Sequence, residues 1–197
     1  MIEAAILSRP VRSLVLMLAG IFVTACSSER ESPGQDTALP TTAPAAGADG
    51  ESEADKEFLA KMIGHHSGML VMAEAAMASA TGQAKSDAQT VHHTQAIEID
   101  SMSSILSNRY MTMITPAVSA EARMMADSLK KLSGAPAAHA FYDMTIQHHR
   151  AATAMVDEYL PRLSPQIRAM ASKMKTDQTT EITAFQRKAG DAHPARP

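Results

Sequence analysis

Two pairs of adjacent histidines stand out in this sequence as groups that could do chemistry. His65 and His66 form the first pair, and His148 and His149 form the second. Histidine is a common metal ligand, and the thioether of methionine is a soft sulfur donor. The chain has fifteen methionines and one cysteine, so a metal site would draw on imidazole, thioether, carboxylate or water ligands.

Methionines flank both pairs at helical spacing. Residues three or four positions apart share one face of a helix, as Met62 and Met69 do with the first pair. Imidazole with thioether suits copper, with Cu(I) favoured and Ag(I) or Cu(II) as alternatives. No Glu-x-x-His motif occurs, which argues against a di-iron centre. The predicted metal ligands are Met62, His65, His66, Met69, Met72, Met144, His148, His149 and Met155.

The elements that carry these residues are predicted to be helical. Apolar residues recur at steps of three and four from Phe58 to Ala76, which places the first pair on a wide buried helical face. Glycine, proline and polar clusters separate this segment from further periodic stretches. Helices are predicted near residues 55–80, 86–108, 119–132, 137–160 and 164–188.

The sequence also repeats itself. FLAKMIGHH, from Phe58 to His66, aligns with FYDMTIQHH, from Phe141 to His149, at an offset of 83 residues. Two hairpins related by such a duplication tend to pack with pseudo-two-fold symmetry, which would bring the histidine pairs together inside the bundle. The predicted fold is all-α: a ferritin-like four-helix bundle built from a duplicated hairpin, plus a short connecting helix.

Two glutamates recur at the same offset within otherwise apolar stripes. Glu98 and Glu181 would be costly to bury unless they are paired. A metal-bound histidine usually donates its other ring N–H to a carboxylate, so both glutamates are predicted to support the histidines from behind. The alternative is a slight helix rotation that leaves them solvated. The histidine pairs could likewise be metal-free buried groups.

The amino terminus resembles a lipoprotein signal. Arg9 and Arg12 precede an apolar run that is too short for a transmembrane helix. The run ends in Val-Thr-Ala-Cys, which resembles a bacterial lipobox with Cys26 as the lipidated residue. The alternative is an ordinary secretory signal. The predicted organisation is a signal peptide at 1–25, a tether at 26–54, a bundle at 55–189 and a tail at 190–197.

Composition and motifs exclude some classes of function. The formal net charge is −3, which provides no electrostatic basis for nucleic-acid binding. Neither a nucleophile elbow nor a nucleotide fingerprint is present. The favoured function is non-enzymatic: an exported, membrane-anchored protein, periplasmic or at the cell surface, that sequesters copper or carries it to a copper-handling partner. The alternatives are a ferritin-like metal-dependent oxidase and a structural envelope protein without metal.

The repeated segments also carry a family resemblance. DKEFLAKMIGHHSGMLVMAEAA and FYDMTIQHHRAATAMVDEYL, each followed by Gln-x-x-Glu-Ile, resemble the bacterial domain-of-unknown-function family 305 across residues 55–188. The resemblance implies a ferritin-like fold, export and, as in some members, copper binding that supports copper tolerance. In the second copy, Thr145 and Ala152 stand where the first copy has Met62 and Met69. The second copy is therefore expected to bind more weakly, or through Met144 and Met155.

We expect the mature protein to begin at a lipid-modified Cys26, because the apolar run ends at a lipobox-like sequence. Mass spectrometry of the amino-terminal peptide from the native host measures this modification directly. An unmodified amino terminus at another residue, or an intact signal segment, would contradict the expectation.

Overall fold

The computed structural model describes residues 48–191 of the chain, with side chains described from 53 to 190. The predicted signal peptide, Cys26, most of the predicted tether and residues 192–197 of the predicted tail lie outside the described residues. The described part contains both histidine pairs and every other predicted metal ligand.

Long helices make up almost all of the described chain. No β-strand occurs between residues 48 and 191, so the all-α prediction is confirmed there. A short 3₁₀ turn, Leu160–Arg162, separates the last two helices. The helices are α1 Ala48–Ser79, α2 Gly82–Tyr110, α3 Ala120–Leu129, α4 Gly134–Tyr159 and α5 Pro165–Asp191.

The four long helices form two hairpins, as the repeat predicts. Helix α1 pairs with α2, and α4 pairs with α5. Helix α1 also packs against α4, which joins the two hairpins along their first helices. The short α3 lies on α1 and also touches α4. The predicted helical bundle from a duplicated hairpin, with a short connecting helix, is therefore confirmed.

Several predicted boundaries differ from the structure by a few residues, among them the start of α1 and the end of α3. Composition predicts a tether over 26–54, whereas residues 48–54 belong to α1. Ala54 and Asp55 are 5% and 0% exposed, so packing of this turn against the bundle extends the helix upstream. Helix α3 ends at Leu129 rather than near 132, because the exposed residues that follow it form a turn.

Glycine and proline mark the helix boundaries. Gly82 and Gly134 have φ angles of +57° and +62°, a region that glycine enters without steric cost. Pro165 opens α5, where its missing N–H costs no helical hydrogen bond. Met111 ends α2 with φ at 50°, and within residues 48–191 it is the one non-glycine residue with a positive φ.

Two apolar clusters fill the bundle, and the histidine pairs fall between them along both α1 and α4. Phe58 belongs to one cluster and its repeat counterpart Phe141 to the other, as a pseudo-two-fold arrangement requires. Both rings are fully buried. Among the described helices, none combines the length and the apolar character needed to cross a bilayer.

A buried aspartate ties the hairpins together at one end of the bundle. Asp55 of α1 accepts hydrogen bonds from the Tyr110 hydroxyl and, at 2.9 Å, from the backbone N–H of Ser164 just before α5. One carboxylate therefore joins α1, α2 and the start of α5. Burial and then the hydrogen bond to Asp55 raise the pKa of Tyr110 to about 12, so its hydroxyl remains a donor.

A second aspartate performs the same task at the other end. Asp87 of α2 accepts hydrogen bonds from the Tyr142 hydroxyl at 2.8 Å, Lys188 Nζ at 2.7 Å and Gln83 Nε2 at 2.9 Å. Burial acts to raise the pKa of Asp87, but hydrogen bonds from Lys188, Gln83 and Tyr142 outweigh it and lower the pKa overall. The charged carboxylate thus joins α2 to α4 and α5.

We expect Asp87→Asn to lower the free energy of unfolding by roughly 2 kcal/mol at neutral pH, because it removes the charge that Lys188 and Tyr142 bond. Chemical denaturation followed by circular dichroism measures the change. The folded pKa lies below the unfolded one, so the difference should persist above about pH 4 and shrink below it. Asp127→Asn, an exposed aspartate paired with Lys130, is the control. Equal effects in the two variants would contradict the role of Asp87 in joining α2 to α4 and α5.

Candidate metal site

The two histidine pairs meet where α1 packs against α4. The ring centroids of His65 and His148 are 3.7 Å apart, and the ring planes are inclined by 42°. Within each pair the neighbouring ring centroids are 6.3 Å apart. Consecutive residues on an α-helix are rotated by about 100°, so one ring of each pair faces the other hairpin and one faces its own partner helix.

His65 and His148 open onto a groove of about 550 Å³ between α1, α4 and α3. Two thioether side chains line the same groove, Met125 of α3 and Met155 of α4. Two histidines and two methionines, drawn from three helices, therefore border one accessible space. The remaining lining residues are Lys61, Gly64, Gly68, Ala117, Ser119, Glu121, Ala122, Gln147 and Ala151.

Helix α3 covers this groove because α1 carries glycine at the point of closest approach. A Cβ on Gly68 would lie 2.9 Å from Cβ of Ala122 and 3.6 Å from Nε2 of His148. The first distance is too short for two carbon atoms, so a larger residue would push α3 away from α1. Gly68 thereby sets how closely Met125 approaches the histidines.

His66 and His149 are fully buried and point towards the second helix of their own hairpins. His66 Nε2 donates to Glu98 Oε2 at 2.9 Å, and His149 Nε2 donates to Glu181 Oε2 at 2.7 Å. The two contacts are related by the repeat. The glutamates themselves are partly exposed, with 21% and 29% of their side-chain surfaces accessible.

These hydrogen bonds determine which ring nitrogen keeps a lone pair. A carboxylate accepts and cannot donate, so Nε2 of His66 and of His149 must carry the proton. In a neutral ring, Nδ1 is then the free acceptor. The Nδ1 atoms of both residues are buried without a hydrogen-bond partner, and so are those of His65 and His148. Buried lone pairs without partners are the groups that a metal ion would satisfy.

Burial keeps the two groove histidines uncharged. It lowers the pKa of His65 to about 4, with repulsion from His66 and His149 adding to the effect. Burial, followed by repulsion from His65 and the other two rings, lowers the pKa of His148 to about 2. Both rings are therefore neutral at physiological pH, which is the form that binds metals.

Further buried polar groups adjoin the histidines on the repeat. Gln95 and its counterpart Gln178 are 2% and 3% exposed, and each has buried side-chain atoms without a hydrogen-bond partner. Gln95 Nε2 donates to Glu98 Oε2 at 3.4 Å, which is a long contact. Thr145, one turn before the second pair, is also buried with an unpartnered hydroxyl. A polar layer therefore interrupts the apolar core.

The donor set is not that of a carboxylate-rich centre. Within residues 48–191, no three side chains drawn from His, Cys, Asp and Glu converge closely enough to hold a metal ion. Glu98 and Glu181 are occupied by hydrogen bonds to histidine. Two histidines with methionines beside them therefore remain as the candidate ligands of the groove.

Comparison with known families agrees with the repeat. The sequence profile of the family described as "Domain of unknown function (DUF305)" matches residues 26–106 and, a second time, residues 107–189. The chain belongs to the DUF305 family. The double match confirms the internal repeat, since one copy of the DUF305 domain contains His65 and His66 and the other contains His148 and His149. No curated protein matches the chain.

The fold of this DUF305 protein is similar to one solved structure, described as the crystal structure of a DUF305 fragment from Deinococcus radiodurans. The TM-score is 0.62 with 23% sequence identity, over 70% of this chain and 96% of the other. At this identity the likeness concerns the fold alone. The chemistry of the site therefore depends on the residues of this DUF305 chain.

The methionines of the first DUF305 copy lie in the apolar core. Met62 belongs to the cluster around Phe58, and Met69 and Met72 belong to the cluster around Phe141. All three methionines are fully buried. Their packing is what a flexible core side chain provides, and their predicted role as ligands stays a prediction.

The second DUF305 copy places one of its two predicted methionines in the groove. Met155 lines it beside His148, whereas Met144 is half-buried against the cluster around Phe141. Met125 also lines the groove, although it is not among the predicted metal ligands. It lies on the connecting helix, outside the aligned histidine motifs, so neither spacing nor repetition could have identified it.

We expect His65 and His148 to stay neutral as the pH of the metal-free protein falls from about 7 to about 5, because burial lowers both pKa values. Ring ¹H–¹⁵N correlation spectra measure this. Unfolded histidine titrates near pH 6.5, so the unfolded chain binds more protons below that pH and stability is lost as the pH falls from about 6.5 through about 4. A titration midpoint near 6.5 for either ring would contradict the assignment.

Proposed function

We propose that this DUF305 protein binds copper, with Cu(I) as the favoured ion, and sequesters or carries it outside the cytoplasm. The observation that supports this most directly is the contact between the His65 and His148 rings in a groove lined by Met125 and Met155. Imidazole with thioether is a ligand set suited to a soft ion. The bundle holds these donors on rigid helices rather than on loops.

The choice of ion follows from which donors border the groove. Glu121 is the one carboxylate among its lining residues, so a hard ion such as Mg²⁺ or Ca²⁺ would lack the oxygen ligands it prefers. Ag(I) shares the soft character of Cu(I) and would compete for the same donors. Cu(II) would rely more on imidazole nitrogen than on thioether sulfur.

The depressed pKa values support binding at acidic pH as well. An ordinary histidine is protonated below about pH 6.5 and then competes poorly for metal. His65 and His148 resist protonation because burial disfavours the charged ring. The groove would therefore keep its imidazole ligands in a mildly acidic compartment, such as the outside of a bacterial membrane.

The histidine–glutamate pairs support a structural role for Glu98 and Glu181 behind the ligands. Each carboxylate fixes the tautomer and orientation of a fully buried histidine that neighbours a groove histidine. A metal oxidase would need carboxylates as metal ligands instead. This favours a carrier or store of copper over an enzyme, with lipidation at Cys26 holding it at the membrane and a copper-handling protein as its partner.

We expect His65→Ala with His148→Ala to weaken Cu(I) binding by more than about a hundredfold. Losing a residue that hydrogen-bonds a metal ligand costs about 10- to 100-fold in affinity, and losing the ligands themselves should cost more. Competition titration against a Cu(I) chelator under anaerobic conditions measures the affinity. His92→Ala with His93→Ala removes a third pair of adjacent histidines, which lies on α2 and does not line the groove, and is the matched control. Equal affinities in the two double variants would refute copper binding at the groove.

The same titration tests the role of the two glutamates, and a parallel one tests the alternative function, a metal-dependent oxidase. Glu98→Gln with Glu181→Gln should weaken Cu(I) binding by less than about tenfold, since these carboxylates bond His66 and His149 rather than the groove ligands His65 and His148. Parallel titration with Fe(II) in the presence of oxygen tests the oxidase. Catalytic Fe(II) oxidation that depends on Glu98 and Glu181 would favour the enzyme and overturn the carrier.

A further inference from the structure

Two methionines on the connection between α2 and α3 are almost completely exposed. Met111 and Met113 have 87% and 90% of their surfaces accessible. Methionine is an apolar residue that normally fills gaps in cores. Ile114, next along the chain, is half-buried and packs on the cluster around Phe58. The connection thus keeps its branched aliphatic residues, Ile114 and Val118, half-buried and leaves both thioethers in solvent.

The backbone gives no reason for a methionine at the first of these positions. Met111 has φ at 50° and ψ at 32°, the left-handed conformation that caps helix α2. Glycine or asparagine usually holds such a cap, and another L-residue there costs roughly 1–2 kcal/mol. Backbone strain of this kind concentrates at functional sites. Exposure and strain are independent observations, and both coincide at Met111.

The connection leads from these thioethers to the rim of the metal groove. Ala117 and Ser119 lie on the same connection and line the groove that contains His65 and His148. The Ala117 carbonyl oxygen lies 3.4 Å from where a Cβ on Gly64 would stand, beside His65. An ion held at Met111 and Met113 would therefore be attached to the segment that borders the groove.

We infer that Met111 and Met113 form an outer thioether site for a soft monovalent ion, Cu(I) or Ag(I), and that this site loads the groove. Soft thioether donors select such ions, and they need lose no proton to bind. Two exposed sulfurs bind more weakly than buried imidazoles with thioethers, so the ion moves inwards by exchanging ligands without changing charge. The loading role rests on the proposed function, whereas binding at the two methionines does not.

The pattern of exposure favours an ion over a docked protein. A protein-docking surface would gain from exposing the aliphatic side chain of Ile114 together with its neighbours, but that residue is turned inwards. Among the large apolar side chains of the described residues, Met111 and Met113 are the most exposed. Docking of a copper-handling protein on the two methionines would instead appear as binding without any response to the ion alone.

The test uses the full chain labelled with ¹³C at the methionine methyl groups and titrated with Ag(I), which is not oxidised or reduced under these conditions. Met111→Leu and Met113→Leu each remove one signal, which assigns both resonances while keeping side-chain size. We expect both signals to shift on addition of Ag(I). In the protein with His65→Ala and His148→Ala these shifts should persist, which separates the outer site from the groove.

Loading is measured by stopped-flow transfer of Cu(I) from a chelator to the groove. Met111→Leu with Met113→Leu should slow transfer by about tenfold while leaving the groove affinity unchanged. Met77→Leu with Met170→Leu removes two half-buried sulfurs elsewhere and is the matched control. Unshifted methyl signals would overturn the site. Shifted signals with an unchanged transfer rate, or equal slowing in the control, would overturn its loading role.

Discussion

The contact between the rings of His65 and His148 is the constraint on which the rest of the structure depends. Two imidazoles with centroids 3.7 Å apart can share this position only if they are not both charged. Burial at the α1–α4 contact satisfies that condition by lowering both pKa values. The same burial leaves Nδ1 of each ring without a hydrogen-bond partner, so the packing of the two hairpins and the neutral state of the two rings have one cause.

A polar layer in the middle of a bundle is costly, since buried polar atoms without partners lose their hydrogen bonds to water. The structure concentrates that cost between two apolar clusters and joins the hairpins elsewhere. Asp55 and Asp87, near opposite ends, bond tyrosine, lysine and backbone groups from other helices. Cohesion of the hairpins therefore comes from the ends and the apolar clusters, which leaves the histidine layer available for chemistry.

The duplicated hairpins are nearly symmetric, but the groove is not. It exists on the side where α3 and the preceding connection cover α1, and these segments lie outside the two hairpins. Met125 and Ser119 come from that extra segment, while Met155 comes from the second copy. Gly68 permits the cover to approach because no Cβ separates α1 from Ala122. Because α3 and the connection before it lie on one side only, the histidine layer borders one groove on that side.

Sequence alone determined the helices, the hairpin repeat and the burial of both histidine pairs, because hydrophobic periodicity and duplication are local properties of the chain. It also placed Glu98 and Glu181 on inward stripes. Only the tertiary structure decided that His65 meets His148, that Met125 joins the groove, and that Met62 packs in the core. The physical reason is that periodicity defines which face of a helix is buried, whereas helix crossing and rotation depend on side-chain packing between distant segments, here on the close approach at Gly68.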